Sequence, residues 1–137
     1  MKNNATVVLI DDDIDDASLL IESFSNYHAF TITAFDKPSL FFEFIEQHDC
    51  SNVCLLVVDL NLPEESGIEV LRKLKSRAQF ADVPVLVFTT GGTPAEVKYC
   101  EEQKIELFKK PSNIAGWESF AFVMAAHCDP RLARNTV

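Results

Sequence analysis

The chain has 137 residues, 47% of them hydrophobic and 24% charged, the balance of one globular domain with a real core and little beyond it. Twelve basic against 21 acidic side chains give a net charge of −9, which argues against a nucleic-acid surface. No apolar stretch approaches the roughly 20 residues that span a bilayer, so no membrane role is expected.

Met1-Lys2-Asn3-Asn4 leads straight into a strand, so no signal peptide is read and a cytoplasmic location is expected. The first strand, Val7 to Ile10, ends on Asp11-Asp12. Ile14, Ala17, Ile21 and Phe24 then recur at helical spacing, with Leu20 beside them. Phe30 to Phe35 reads as a second strand, and Pro38 opens a helix carrying Leu40, Phe41, Phe44 and Ile45. Val53 to Val58, apolar apart from Cys54, reads as a central strand and ends on Asp59. Ser66 with Glu69 is a capping-box pattern, followed by Leu71, Leu74 and Ala78 on one face. The run from Val85 to Phe88 ends on Thr89-Thr90, and Thr93-Pro94-Ala95-Glu96 starts the next helix. Ile105 to Phe108 precedes Lys110-Pro111. Trp117, Phe120, Ala121, Met124 and Cys128 form the last apolar stripe, which Asp129-Pro130 terminates. The expected organisation is a domain over residues 1–128 and a short tail over 129–137, with no output domain.

Five strands alternating with five helices predict an α/β fold, a doubly wound parallel sheet with helices on both faces. In such a sheet the functional crevice lies outside the carboxyl ends of the strands. That rule gathers Asp11, Asp12, Asp59, Thr89 and Lys110 into one site. Cysteines 50, 54, 100 and 128 show no Cys-x-x-Cys spacing, so zinc is not expected, and reduced thiols packing as small apolar groups are.

Carboxylates, a hydroxyl and a lysine suit hard-cation chemistry on a phosphoryl group. Mg²⁺ takes one or two carboxylates together with waters and phosphate oxygens. Asp12 and Asp59 are candidate ligands, with Asp11 holding a metal-bound water; Asp59 is also a candidate nucleophile, because a carboxylate can form an acyl phosphate. Positive charge from the metal and Lys110, with the Thr89 hydroxyl, would stabilise the transferring group. Asp13, Asp15 and Asp16 read as a solvated helix start.

Over about residues 5 to 128 the chain resembles a response-regulator receiver domain of two-component signalling. The residues that carry the likeness are Val-Val-Leu-Ile-Asp-Asp-Asp at 7–13, Val-Val-Asp-Leu-Asn-Leu-Pro at 57–63 with Gly67, Pro-Val-Leu-Val-Phe-Thr-Thr at 84–90, and Lys-Lys-Pro at 109–111. The resemblance implies a flavodoxin-like (βα)5 sheet of order 2-1-3-4-5 and a bacterial phosphorelay. Asp59 matches the acceptor that takes a phosphoryl group from a phosphohistidine on a histidine kinase or phosphotransfer protein. Asp11 and Asp12 match the acidic pair that holds Mg²⁺, and Asn61 the position whose backbone carbonyl completes the metal shell. Thr89 matches the switch hydroxyl, Lys110 its paired lysine, and Pro111 the proline that follows through a cis peptide. Leu107 stands where the family often carries Tyr or Phe, which predicts a weaker conformational readout. Thr90 stands where a small residue is usual, and Glu101-Glu102-Gln103-Lys104 replaces a turn usually rich in Gly and Ala.

The expected module is not an enzyme beyond its own phosphorylation and dephosphorylation. Its expected output is a surface for a downstream protein or a second copy, made by the fourth helix, fifth strand and fifth helix, with Phe122 projecting from the core face and Tyr99 extending the patch. The competing reading is a small Mg²⁺-dependent aspartyl-phosphate phosphohydrolase. Such enzymes typically place a general acid two residues after the nucleophile, and here that residue is Asn61.

Overall fold

The computed structural model describes residues 5–25, 27, 30–129 and 131–132. The amino-terminal stretch before Ala5, the stop residue Pro130 and the tail over 133–137 lie outside the described residues. Strands β1 (Ala5–Ile10), β2 (Phe30–Phe35), β3 (Val53–Val58), β4 (Val85–Thr89) and β5 (Glu106–Lys109) alternate with helices α1 (Ile14–Phe24), α2 (Pro38–Gln47), α3 (Gly67–Ser76), α4 (Pro94–Gln103) and α5 (Ile114–Cys128). All the pairings are parallel, in the order β2-β1-β3-β4-β5. The sequence alternation therefore has its expected consequence.

Strand side chains point alternately to the two faces of the sheet. Val7, Leu9, Leu55, Val57, Leu86 and Phe88 meet α1 and α5 on one side; Val8, Ile10, Leu56, Val58, Val85 and Val87 meet α2, α3 and α4 on the other. The last stripe packs as read: Trp117, Phe120, Ala121 and Met124 are buried, with Phe120 stacked on Phe88 at 4.1 Å between ring centroids.

Several expectations fail at the edges of elements. On α1 the buried face is Ala17, Leu20 and Phe24, while Ile14 and Ile21 are exposed. Ile14 is the first residue of the helix, immediately beyond the end of β1, where no sheet remains to cover it. Leu40 of α2 is likewise exposed. Helix α3 stops at Ser76, so Ala78 falls in a short 3₁₀ turn (Ala78–Phe80) and the buried contact there is Phe80. The Ser66 cap is half a box: its hydroxyl accepts from the Glu69 N–H, but the Glu69 carboxylate turns to Arg72 at 2.7 Å. Thr93 and Glu96 form the complete reciprocal box.

The cysteines are the largest departure. Cys54 of β3 and Cys128 at the end of α5 are joined in a disulfide, with Cα atoms 5.3 Å apart, rather than both being reduced. Both side chains meet the α1/α5 layer, and the fold closes a sequence separation of 74 residues that no local spacing announces. Cys50 and Cys100 remain free and buried on the opposite face.

Helix α4 ends with Lys104 in the left-handed region at φ 59°, ψ 40°, where its N–H reaches the Cys100 and Glu101 carbonyls. A side chain there is strained, and glycine is the usual occupant. Lys104→Gly is expected to stabilise the chain by about 0.5–1 kcal/mol, after the greater unfolded-state freedom of glycine is subtracted. Urea denaturation measures this; a loss of stability would show that the lysine side chain contributes more than its backbone costs.

Candidate functional site

Strand pairing itself brings the polar residues together. Asp11, Asp59 and Thr89 directly follow the apolar runs of their strands and Lys110 follows one residue later, and backbone hydrogen bonds continue the ladders into this edge. The Asp11 N–H donates to Phe35 at 3.0 Å, the Asp59 N–H to Ile10 at 2.9 Å, and the Lys110 N–H to Thr89 at 2.8 Å. Gly67 lets α3 start against the segment that follows Asp59: a Cβ there would lie 2.5 Å from Leu60 Cδ2 and 2.8 Å from its Cα. Gly116 does the same beside Pro111, whose Cβ a side chain would meet at 2.5 Å. The peptide before Pro111 is trans, as are all those among the described residues, which corrects the cis geometry expected from the resemblance.

Asp11, Asp59 and Thr89 are the buried polar residues of the described chain. Lys110 enters between them with a side chain only 5% exposed, and its Nζ lies 2.8 Å from Asp16 Oδ2, 2.9 Å from Asp11 Oδ2 and 3.1 Å from Asp59 Oδ2. Burial alone would lower the pKa of this ammonium, but its contacts with Asp16, Asp11 and Asp59 outweigh burial and hold it above the usual lysine range. Asp16, which the sequence places in a solvated helix start, instead joins this cluster through Lys110. The signal available was its position in the first turn of a helix that begins directly after a strand-end acidic pair. Asp13 is the α1 cap, accepting from the Asp16 N–H at 3.1 Å.

Asn61 links the two halves of the site. Its backbone N–H donates to Asp59 Oδ1 at 3.1 Å, and its side-chain amide donates to Thr89 Oγ1 and Thr90 Oγ1, each at 3.2 Å. The Thr90 hydroxyl thereby shares the Asn61 fork with the buried Thr89. Leu107 pairs in register with Val87 and packs, half-buried, into the α2–α4 layer.

Asp11, Asp12 and Asp59 each offer a carboxylate oxygen, all within 4.8 Å of one another, a spacing that a six-coordinate divalent ion can bridge with small adjustment. Asp12 is exposed and so leaves an approach from solvent. Asp11 Oδ2 is buried and, although ion-paired with Lys110, accepts no well-angled hydrogen bond. An all-oxygen donor set of this kind, with one buried oxygen that accepts no hydrogen bond, fits a hard cation.

The Asp11 carboxyl is pushed up to about 6, first by burial and further by the Asp59 charge, against the pull of the Asp13 N–H and of Lys110. Its ordinary value is 3.8. Between those values the folded chain holds a proton that the unfolded chain has released, so the contribution of Asp11 to metal-free stability falls as pH rises from about 4 to about 6. A cation must displace that proton. Mg²⁺ affinity is therefore expected to rise up to about tenfold per pH unit below pH 6 and to level off above it, as calorimetric titration between pH 5 and 7.5 can record. A flat profile would remove Asp11 from the ligand set.

Two features of the expected output surface separate. Phe122 is half-buried on α5, lining a shallow hollow with Val123, Ala126 and His127. Tyr99 instead packs into the α2–α4 layer with Arg72 of α3 at 5.5 Å from its ring centroid, so it does not extend the Phe122 patch. Its position on α4 turns it toward the neighbouring helix. Among the described residues no helix is long and apolar enough to cross a membrane.

The model of the response regulator receiver domain family matches residues 7–116. The chain is 31% identical over 81 residues to the two-component response regulator ARR9 of Arabidopsis thaliana, covering 58% of this chain and 35% of that one. It is 34% identical over 83 residues to the regulatory protein VirG of Agrobacterium tumefaciens (strain 15955), covering 61% and 28%. These matches thus span about a third of those relatives' own length. The crystal structure of the phosphorylated cyanobacterial phytochrome response regulator RcpA superposes with a TM-score of 0.76 at 19% identity, over 90% of this chain and 93% of that one. Relatives thus occur in plants and in bacteria.

Proposed function

This chain belongs to the response regulator receiver domain family, and we propose that Asp59 is its phosphoacceptor, taking a phosphoryl group from a phosphohistidine on a histidine kinase or phosphotransfer protein. The observation that carries the reading is the buried Asp59 carboxylate held 3.1 Å from Lys110 beside the Asp11–Asp12 pair, at the carboxyl ends of β1 and β3. An Asp59 oxygen attacks phosphorus in line, the phosphorus–nitrogen bond of the donor breaks, and its electron pair returns to the imidazole.

When bound, Mg²⁺ supplies positive charge for the phosphoryl oxygens; Asp11, Asp12, Asp59 and the Asn61 carbonyl are its proposed holders. Lys110 supplies the second positive charge from inside the site. Burial of Asp59 and Lys110 strengthens that interaction by keeping water away. Thr89 offers its hydroxyl to the phosphoryl group after leaving the Asn61 amide, so the acceptor strand and the switch strand answer to one event. The families of the relatives, two-component response regulators, support a donor of this class.

Output runs through the surface of α4, β5 and α5, where Phe122 and its neighbours await a downstream protein or a second copy. Leu107 couples that surface to Thr89 more weakly than an aromatic would. Beryllofluoride, which mimics the phosphoryl group on a carboxylate, tests both halves of the reading. Wild type with Mg²⁺ and beryllofluoride is expected to show perturbed amide resonances at Asn61, Thr89 and Lys110, and altered sedimentation or partner capture that Phe122→Asp abolishes. Unperturbed resonances at the strand ends would sink the acceptor assignment. Perturbed resonances with association indifferent to Phe122→Asp would move the output elsewhere.

A further inference from the structure

Away from the phosphoryl site the structure joins Cys54, in the central strand, to Cys128, the last residue of α5. Cys54 lies five residues before Asp59, roughly 16 Å along the strand, so the bond sits toward the opposite end of the sheet. We propose that Cys54 and Cys128 are a reversible thiol–disulfide modification site, opened and closed by exchange with low-molecular-weight thiols and disulfides such as the glutathione couple, and that its state sets how firmly α5 is held on the sheet.

Three observations carry this. The fold selects the pair: Cys54 and Cys128 share the α1/α5 layer, while Cys50 and Cys100 lie in the other layer with the sheet between. A mispaired bond would need the domain to open. The other two thiols are also poor competitors, because burial pushes their pKa values up and holds them as inert thiols. Finally, Cys54 and Cys128 are only half-buried, and Cys128 is the last residue of α5, in the terminal turn where helices fray, so a reagent can be admitted there.

The step balances. In closing, the Cys128 thiolate attacks one sulfur of the small disulfide, forming a mixed disulfide and releasing one thiolate. The Cys54 thiolate then attacks the Cys128 sulfur and displaces the second thiolate. Two protein thiols are oxidised, one small disulfide is reduced to two thiols, and the protons pass to the departing thiolates. Opening reverses each step. The last turns of α5 carry Phe122, Val123, Ala126 and His127, so the bond restrains a helix that presents a surface to solvent.

The test equilibrates the chain over a range of reduced-to-oxidised glutathione ratios, quenches with acid, and maps cross-linked peptides by mass spectrometry. A Cys54–Cys128 peptide is expected whose fraction follows the ratio, with Cys50 and Cys100 alkylated only after denaturation. Hydrogen exchange at the amides from Phe120 to Cys128 is expected to be about tenfold slower in the oxidised protein. Cys128→Ser should exchange like the reduced wild type in every buffer, and Cys54→Ser provides a second variant that removes the other partner. A linked peptide absent at every ratio, one that persists in fully reducing buffer, linkage through Cys50 or Cys100, or equal exchange in both states would each overturn the proposal. None of these readouts requires Asp59 to be phosphorylated, so the receiver reading stands or falls separately.

Discussion

Asp59→Asn is expected to reduce acyl-phosphate incorporation to background, whether the donor is acetyl phosphate or a phosphohistidine protein, with Mg²⁺ present. The substitution is nearly isosteric. Its carbonyl oxygen can still accept from the Asn61 N–H, as Asp59 Oδ1 does at 3.1 Å, and Lys110 keeps Asp11 and Asp16. What disappears is the anionic nucleophile. The asparagine variant also relieves the repulsion between Asp59 and Asp11 that helps raise the Asp11 pKa, so no large loss of stability should accompany the loss of chemistry. Hydroxylamine-labile phosphate, counted beside a thermal melt, separates the two effects. Labelling that survives in the folded variant would assign the phosphate to another carboxylate, with exposed Asp12 the first to examine.

The main frame of this site was legible because parallel strands announce themselves as short apolar runs, and whatever follows each run must emerge on the same edge. Asp11, Asp59, Thr89 and Lys110 needed no more than that rule, and the structure brings them together. Asp16 needed more. Its role depends on which way the first turn of α1 faces, and with Asp13 and Asp15 beside it in a run of carboxylates, sequence alone does not separate a cap, a solvated charge and a lysine partner. Tyr99 illustrates the same gap on α4, whose apolar pattern is too weak to fix its rotation; in the fold Cys100 is the buried residue of this helix, and Tyr99 beside it meets Arg72 of α3. The Cys54–Cys128 bond was illegible for a different reason. Both residues fit an apolar stripe equally well as thiols, and only the packing of α5 across β3 brings their Cα atoms to 5.3 Å. The exposed Ile14 and Ile21 fail in the opposite sense: periodicity describes a helix face, whereas burial depends on how far the sheet extends beneath it.

Lys110→Ala should produce the largest loss of stability, and the loss should depend on the divalent cation. The wild-type ammonium serves three carboxylates within 3.1 Å, two of which belong to side chains no more than 4% exposed. Removing it leaves buried negative charge without a partner, a change that typically costs about 3–5 kcal/mol. Partial protonation relieves some of that, since Asp11 already holds its proton to about pH 6 and would hold it higher without the lysine. The deficit should therefore be greatest above neutral pH and smaller near pH 5. Mg²⁺ should restore much of it, because an ion held by Asp11, Asp12 and Asp59 would share those oxygens and would no longer compete with a neighbouring ammonium. The melting temperature of Lys110→Ala is thus expected to rise more with millimolar Mg²⁺ than that of wild type, while its phosphorylation stays impaired because the internal positive charge beside the acceptor is gone. Urea melts with and without chelator, at pH 5 and pH 8, give the four values needed. A variant as stable as wild type in chelator at pH 8 would mean that the carboxylates do not depend on Lys110. A deficit that Mg²⁺ leaves untouched would mean that the metal and the lysine do not share those oxygens, and the acidic cluster would lose its claim to be the cation site.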